Sequence, residues 1–385
     1  MLFSFLIPTT RVSCSLRAAV KSVQDLNCPD SEIIVSLNST DDSVIDELRS
    51  LYRNSNVRIV HPDRFLSHAE HWDFLISHAE GEWITLVTDR SVLRHDWLTT
   101  LSDYLENSDI ITYKSAAVLR RGQRFVVQLP WFSGQAVAFE ANKWWAAART
   151  MQFVEHGPYL LNCLIRRSAL ARIRARFGKL CGHLVGDCGF YASALACGEN
   201  WLHVDRPMMV MHSAETGIGA SLVTGTLTPA LESFLLTVAN SGGLRYAPLP
   251  EIVTNMNIRV NECGAVMSAL GEPPIFDSQA YCECLAAEFL QQQQRFPGDA
   301  LKRVQEFARK QKVFLRRLQS TDWFRRSKRS VRNALEALLP SALTTVRNKL
   351  NLSVRSFASL PEAITFGNAA IFHPNTPALR SVVWH

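Results

Sequence analysis

The first hundred residues predict an α/β fold, with a doubly wound, mostly parallel sheet that carries helices on both faces. Short apolar runs rich in β-branched and aromatic residues alternate with segments of helical periodicity, and polar loops follow three of these runs. Strands that are joined by helices of this length run parallel, so the loops that follow them meet at one edge of the sheet. We therefore expect a ligand site at that edge.

The order of elements is βαβαβαβ over the first ninety residues. Strand character is found at residues 2–7, 31–37, 57–60 and 83–87, and helical spacing at residues 13–25, 44–52 and 66–78. The polar loops that follow strands lie at residues 8–11, 38–42 and 88–91. Gly81 is expected to end the third helix.

The later part of the chain is predicted to be mainly helical. The four helical segments are residues 229–238, 252–258, 277–294 and 299–318. Residues 216–225 are rich in Gly, Ser and Thr, which favours a flexible loop.

Composition indicates a globular chain with one large domain and an appendage. The 385 residues are 47% hydrophobic and 20% charged, and no run approaches 18 apolar residues, so no membrane-spanning helix is expected. The apolar start has no basic residues and no small-residue cleavage site, which favours a strand over a signal peptide. The nine scattered cysteines are expected to be mostly buried free thiols in a reducing compartment.

Charge is distributed unevenly along the chain. Residues 301–356 hold 15 Lys and Arg against 3 Asp and Glu, a net charge of +12, and the remainder of the chain carries −6. Two interpretations of this basic, partly aromatic segment stay open: a membrane-surface helix that binds anionic lipid, or a solvated helix that caps the domain. Nucleic acid is a less favoured partner, because no nucleic-acid-binding motif accompanies the charge.

Asp89 is the residue that the strand pattern places at the mouth of a site. It follows the buried run WITLV, and ligands of open α/β sheets bind beyond the carboxyl ends of the strands. An acid in a solvated turn is the alternative. The chain has neither GxGxxG nor GxxxxGK[ST] in this half, so a nucleotide would be held by side chains and a metal rather than by a glycine loop.

Three blocks of sequence, in the right order and spacing, resemble family-2 glycosyltransferases with the GT-A fold. They are FSFLIPTTRVSCSLRAAVKSVQDLNCPDSEIIVSLNSTDDS, HWDFLISHAEGEWITLVTDRSVLRHDWLTTL, and the group GPYLLNCLIRRSALARI, GDCGFYASALA and VDRPMMVMH. The resemblance covers about residues 2–215. It implies a glycosyltransferase domain at 1–215, with a nucleotide-sugar half at 1–100 and an acceptor half at 101–215. A helical extension at 216–300 and a basic helical tail at 301–385 would follow.

The resemblance implies a set of donor-binding residues. Pro8, Thr9 and Arg11 match the loop that binds the donor base. Asn38 lies in the second donor loop, where the family usually has an acid beside it and this chain has Leu37. Recognition of the base is therefore expected to differ from the family pattern.

The acidic DxD loop of the family is altered here. Asp89 matches its first acid, but the next two positions, often acidic in the family, are Arg90 and Ser91. The resemblance implies Mg²⁺ or Mn²⁺ held by Asp89 and by His212, the late histidine of the family. Two alternatives stay open: Arg90 replaces the metal as a clamp on the diphosphate, or the site is inactive.

On the acceptor side, the resemblance implies Asp187 as the general base that deprotonates the attacking hydroxyl. An acid in the first turn of a helix also favours the helix for reasons of capping and dipole, and both roles are compatible. His156 and Trp131 are candidates for the acceptor pocket, with core packing as the alternative for the tryptophan.

The sequence thus predicts an inverting glycosyltransferase that acts in cell-surface polysaccharide or glycolipid assembly, from the cytoplasm and at the inner face of the membrane. The expected partners are a nucleotide-diphosphate sugar and a glycan or lipid-linked acceptor. The alternative is a degenerate relative that binds a nucleotide sugar or glycan without transfer. A nucleotidyltransferase is disfavoured because no glycine- and lysine-rich loop is found near the N-terminus.

If residues 301–356 form a membrane-surface segment, the protein will co-sediment with liposomes that contain anionic lipid. Each basic side chain near such a surface contributes roughly 1 kcal/mol, and salt screens the attraction. Binding should therefore weaken as salt is added and vanish with neutral liposomes. Equal binding by a chain that ends at residue 300 would contradict the assignment.

Overall fold

The computed structural model confirms the predicted α/β class, with a mixed, mostly parallel sheet and a helical C-terminal region. The structure describes residues 2–121, 124–128, 130, 132–154, 156–212, 218–224, 227–274, 276–291, 298–313, 354–357 and 382–384.

Twelve strands are found in the described residues. They are β1 (Phe3–Thr9), β2 (Ser31–Leu37), β3 (Val57–Val60), β4 (Trp83–Leu86), β5 (Ser91–Leu93), β6 (Ile110–Arg121), β7 (Arg124–Gln128), β8 (Ala136–Phe139), β9 (Cys163–Arg166), β10 (Trp201–His212), β11 (Val354–Phe357) and β12 (Val382–Trp384). The main path through the sheet is β12-β8-β10-β6-β9-β4-β1-β2-β3, while β5 pairs with β10, β7 with β6, and β11 with β7. Strands β10, β6, β4, β1, β2 and β3 run in one direction, and β9 inserts antiparallel between β4 and β6.

The described helices are α1 (Cys14–Gln24), α2 (Asp42–Tyr52), α3 (His68–Ser77), α4 (Trp97–Ser102), α5 (Ala141–Ala148), α6 (Arg167–Phe177), α7 (Gly186–Ala196), α8 (Ile218–Thr224), α9 (Pro229–Asn240), α10 (Asn255–Ala269), α11 (Ser278–Gln291) and α12 (Gly298–Lys310), with a 3₁₀ turn at Leu160–Asn162. No described helix has the length and apolar character needed to cross a bilayer.

Helices cover both faces of the sheet, as predicted, because alternate residues of each strand point to opposite sides. Phe5 and Ile7 of β1 lie in one apolar core with residues of α1, α2 and α4. Leu6, between them, lies in a second core with residues of α3, α6 and α7. Each large side chain buried in this way contributes about 1.5–3 kcal/mol to stability.

Gly81 does not end the third helix as predicted. Helix α3 ends at Ser77, with His78 as its C-cap, and Gly81 lies three residues further on. A β-carbon at Gly81 would lie 2.7 Å from the backbone of Phe3 and Ser4. This position needs glycine because the chain passes close to β1, and not because a helix ends there.

The C-terminal helices differ from the sequence prediction in three places. Helix α12 ends at Lys310, whereas the sequence predicted a helix to residue 318. The expected flexible loop contains helix α8, whose Ser221 and Leu222 are buried. The helix predicted at 252–258 is longer: α10 continues to Ala269 and buries the polar residues Asn261 and Glu262, which break the apolar pattern.

The extension packs directly on the preceding part of the chain. Leu184 and Cys188, at the start of α7, share an apolar core with residues of α9, α10, α11 and α12. Further along α7, Ala192 packs against Cys263 of α10. All nine cysteines are free, and five of them are buried. The division of the chain at residue 215 stays a prediction.

Candidate active site

Three loops at the carboxyl ends of parallel strands come together as the sequence predicts. The Thr9 hydroxyl, at the end of β1, lies 2.9 Å from Oδ2 of Asp89, which follows β4. The same hydroxyl lies 2.8 Å from the carbonyl oxygen of Arg11. The N–H of Asn38, after β2, donates to the carbonyl of Thr9 over 2.8 Å. The predicted donor residues therefore share one edge of the sheet, with Pro8 within β1 just before them.

The side chain of Asn38 is engaged in an internal contact. Its Nδ2 donates to the carbonyl of Leu66 over 2.8 Å, and its Oδ1 accepts the N–H of Leu66 over 2.9 Å. The side chain is buried. Asn38 thus holds the loop between β3 and α3 in place, and its donor-binding role stays a prediction.

Arg90 stands between the predicted metal ligands. Its Nε lies 3.7 Å from Oδ1 of Asp89, and its carbonyl oxygen accepts the N–H of His212 over 3.0 Å. Strand β5, which begins at Ser91, pairs antiparallel with the last residues of β10, and this pairing brings the two loops together. The altered DxD loop is therefore built against the end of β10.

His212 is a buried imidazole, 2% exposed, and neither of its ring nitrogens has a hydrogen-bond partner among the described residues. Burial, assisted by the Arg90 guanidinium, lowers the pKa of His212 to about 4. The ring is therefore neutral at physiological pH and can accept a hydrogen bond or bind a metal.

Asp89 and His212 supply only some of the ligands that a divalent cation needs. Asp89 offers a carboxylate and His212 an unpartnered neutral nitrogen, but the described residues contain no group of three or more His, Cys, Asp and Glu that could hold a metal. Mg²⁺ is commonly bound by one or two protein ligands together with substrate phosphates and water. A metal here would depend on the diphosphate for most of its ligands.

Asp187 lies in the first turn of α7, where its Oδ1 accepts the N–H of Cys188 over 2.8 Å. The helix begins at Gly186, where a β-carbon would lie 2.6 Å from the ring of Trp72 in α3. Glycine at this position lets the two helices approach closely. The acid is thus held at the junction of α3 and α7.

His68, the first residue of α3, joins the two halves of the site. Its Nδ1 accepts the N–H of Gly186 over 3.3 Å, which leaves the ring proton on Nε2. Burial lowers the pKa of His68, the Asp187 carboxylate opposes this, and the Arg90 guanidinium adds to it. Asp187 and Arg90 therefore both lie near this ring.

The sequence analysis did not select His68, although a signal was present. The residue follows β3 and begins a helix with a capping box formed by Ser67 and Glu70. The rule that selected the loops after β1, β2 and β4 applies equally to the loop after β3.

The two residues predicted for the acceptor pocket are His156 and Trp131, and the structure describes only His156. The His156 ring stacks on His203 of β10 at 4.3 Å, and its carbonyl accepts hydrogen bonds from Trp201 and Thr112. Trp131 lies outside the described residues. Whether either residue binds an acceptor stays a prediction.

A further cation near Asp187 comes from the extension. The Arg259 guanidinium of α10 lies 5.3 Å from the ring centre of Tyr159 and 5.8 Å from that of Phe153. Burial disfavours its charged form, but Tyr159, Cys188 and Asp187 outweigh this and leave the pKa of Arg259 raised. No sequence motif marks this residue, because its role depends on how α10 docks.

We expect the imidazole of His212 to titrate near pH 4 in an NMR pH titration. In Arg90→Ala this pKa should rise, because the variant lacks the guanidinium that disfavours the imidazolium. Arg11→Ala, which removes an exposed arginine from a neighbouring loop, is the matched control and should leave the titration unchanged. A wild-type pKa near the ordinary value of about 6.5 would contradict this account of the site.

Comparison with known proteins gives a family match and a set of similar solved structures. Residues 4–173 match the family model described as glycosyl transferase family 2. Solved structures similar to this chain include S. aureus TarS 1–349 in complex with UDP, with 16% identity and a TM-score of 0.47, covering 82% of this chain and 93% of that chain. The same protein in complex with UDP-GlcNAc has 15% identity and a TM-score of 0.46, with the same coverage of 82% and 93%. No curated protein matches the chain. The resemblance to family-2 glycosyltransferases that the sequence blocks indicate is thus confirmed by a family-model match over residues 4–173.

Proposed function

We propose that the chain is an active, inverting glycosyltransferase that moves a sugar from a nucleoside diphosphate to an acceptor hydroxyl. The observation that carries the proposal is the position of His68, which accepts the N–H of Gly186 next to Asp187 and whose pKa is affected by both the Asp187 carboxylate and the Arg90 guanidinium. An acid suited to proton removal and a cation suited to a diphosphate thus both lie near one imidazole. Such an arrangement serves a reaction with a nucleophile on one side and an anionic leaving group on the other.

In this proposal Asp187 is the general base. It takes the proton of the acceptor hydroxyl as the oxygen attacks the anomeric carbon of the donor sugar. The bond between that carbon and the diphosphate oxygen breaks, and the electron pair leaves with the nucleoside diphosphate. A single displacement inverts the anomeric centre. His68, which accepts the N–H of Gly186, holds the start of α7 and so helps to position the base.

Arg90 and His212 face the leaving group in this proposal. The guanidinium can bind two phosphate oxygens at once, and the neutral His212 ring next to it adds no competing charge. Asp89 and His212 would hold Mg²⁺ or Mn²⁺, which would neutralise charge on the diphosphate. The Thr9 hydroxyl, 2.9 Å from Asp89, keeps that carboxylate at the edge of the sheet.

The biological setting that we propose is assembly of a cell-surface polysaccharide or glycolipid, at the inner face of a membrane. The net charge of +12 over residues 301–356 supports attraction to an anionic surface. Most of this segment, residues 314–353, lies outside the described residues. The liposome measurement given above tests this setting separately from the chemistry.

Donor hydrolysis and transfer with a panel of nucleotide sugars test the proposed reaction. Asp89→Ala should lower turnover by orders of magnitude, because the variant lacks the acid at the mouth of the site.

Asp187→Asn keeps the shape and a hydrogen-bond acceptor but takes up no proton, so transfer should fall on the order of 100-fold with donor binding unchanged. Glu251→Gln, at an exposed acid, is the control. Donor binding without turnover by the wild type would instead support the non-catalytic alternative.

The metal is tested by activity after exhaustive chelation, with and without Arg90→Ala. We expect activity to be lost in chelator and to return with Mn²⁺, because Asp89 would not be needed in a purely cationic site. A guanidinium beside a divalent cation is tolerated only if the diphosphate lies between the two charges. Full activity in chelator that disappears in Arg90→Ala would show instead that the arginine has replaced the ion.

A further inference from the structure

The segment that leads to the candidate base is held by side chains through its backbone N–H groups. This segment, residues 180–186, connects α6 to α7. Asp73 of α3 accepts the N–H of Leu180 over 3.0 Å and that of Cys181 over 3.3 Å. His68 of the same helix accepts the N–H of the last residue of the segment. Both ends of the segment are therefore fastened to α3.

Glu262 of α10 fastens the middle of the segment. Its Oε2 accepts the N–H of His183 over 2.7 Å, and its Oε1 accepts the N–H of Leu184 over 2.9 Å. Asn261 adds a weaker contact, 3.3 Å from Nδ2 to Oε1. The side chain is 0% exposed and forms no ion pair with any described residue. Burying a carboxylate without a counter-ion costs free energy, and hydrogen bonds offset only part of that cost.

The segment is shaped to admit this carboxylate. Gly182 has a φ of +70°, and a β-carbon there would lie 2.3 Å from Oε2 of Glu262 and 2.4 Å from the Cα of Gly189. A β-carbon at Gly189 would in turn lie 2.3 Å from the Cα of Gly182. The two glycines thus let the segment fold back on α7 with the carboxylate beside it.

We propose that Glu262 is a positioning residue for catalysis, which sets the place of Asp187 by holding the backbone that leads into α7. This inference rests on the proposed function, because it assigns a role in catalysis to the segment that precedes the base. Glu262 lies beyond residues 4–173, the part of the chain that matches the family model. In this proposal the helical extension contributes a residue that positions the catalytic base.

Ionisation of Glu262 should make the positioning of Asp187 depend on pH. A purely structural contact would not produce this pH dependence. Burial raises the pKa of Glu262 to about 7, against the opposing effect of the N–H groups that it accepts. Protonation places a hydrogen on one of the two accepting oxygens, so one backbone contact is weakened. Positioning should therefore improve as pH rises through about 7.

Of Glu262 and the titratable groups around it, Glu262 is the one whose pKa lies in this range. The titratable groups that face it are the thiols of Cys181 on the segment, Cys188 on α7 and Cys263 on α10, and burial raises the pKa of each thiol. The ring of His183, whose N–H binds Glu262, has a pKa lowered to about 4 by burial and by nearby cations. All four are neutral near pH 7.

Glu262→Gln is the variant that tests the proposal, with Glu251→Gln as the matched control at an exposed site. The amide keeps one acceptor oxygen but turns an NH₂ group toward a backbone N–H. We expect kcat to fall on the order of 100-fold with donor KM unchanged, since small displacements of a catalytic group have effects of this size. The fall of wild-type kcat as pH drops through about 7 should disappear in the variant. Wild-type kcat together with a wild-type pH profile would overturn the proposal.

Amide hydrogen exchange of the unaltered protein gives a second measurement that needs no substrate and no variant. The protection of the amides of His183 and Leu184, corrected for the intrinsic rate, should fall as pH drops through about 7. Protection that does not change with pH in this range would overturn the proposal even if Glu262→Gln fails to fold. If the wild type transfers no sugar from any donor, the proposed function fails, and the exchange measurement still decides whether Glu262 orders the segment.

Discussion

Buried backbone N–H and C=O groups must find hydrogen-bond partners, and the structure of the site depends on how this requirement is met at the carboxyl edge of the sheet. The loops there leave regular secondary structure, so side chains supply the missing partners. Asn38 satisfies both backbone groups of Leu66, and Glu262 satisfies two N–H groups of the segment before α7. The side chains that satisfy the backbone are thus the ones that fix the positions of the catalytic candidates.

The charge balance of the site follows from two neutral imidazoles. Burial keeps both His68 and His212 uncharged, and Arg90 disfavours protonation of each ring. The guanidinium of Arg90 is then a positive charge directly beside Asp89. A loop with one acid and one arginine is less negative than a loop with two acids, so it attracts a divalent cation less strongly and a diphosphate more strongly.

Helix α10 of the helical extension contacts the residues around the candidate base. Helix α10 places Arg259 beside the rings of Tyr159 and Phe153 and places Glu262 under the segment that leads to Asp187. The apolar core of the extension includes Leu184, before α7, and Cys188, in its first turn, so the helices pack against the segment that leads to Asp187. A change in the packing of α10 would therefore reach the candidate base through direct contacts.

On its own, the sequence determined the order of strands and helices from β1 through β4, but not β5, and the place of Asp89 and Asp187 at strand and helix ends. These features depend on local patterns of two and 3.6 residues, which the chain displays directly. The tertiary structure decided the roles of His68 and Glu262, because their partners are 118 and 79 residues away along the chain. It also decided the role of Gly81, which passes close to β1. Close approach between distant segments leaves no periodic signal, so only the folded chain reveals which polar side chains satisfy which backbone groups.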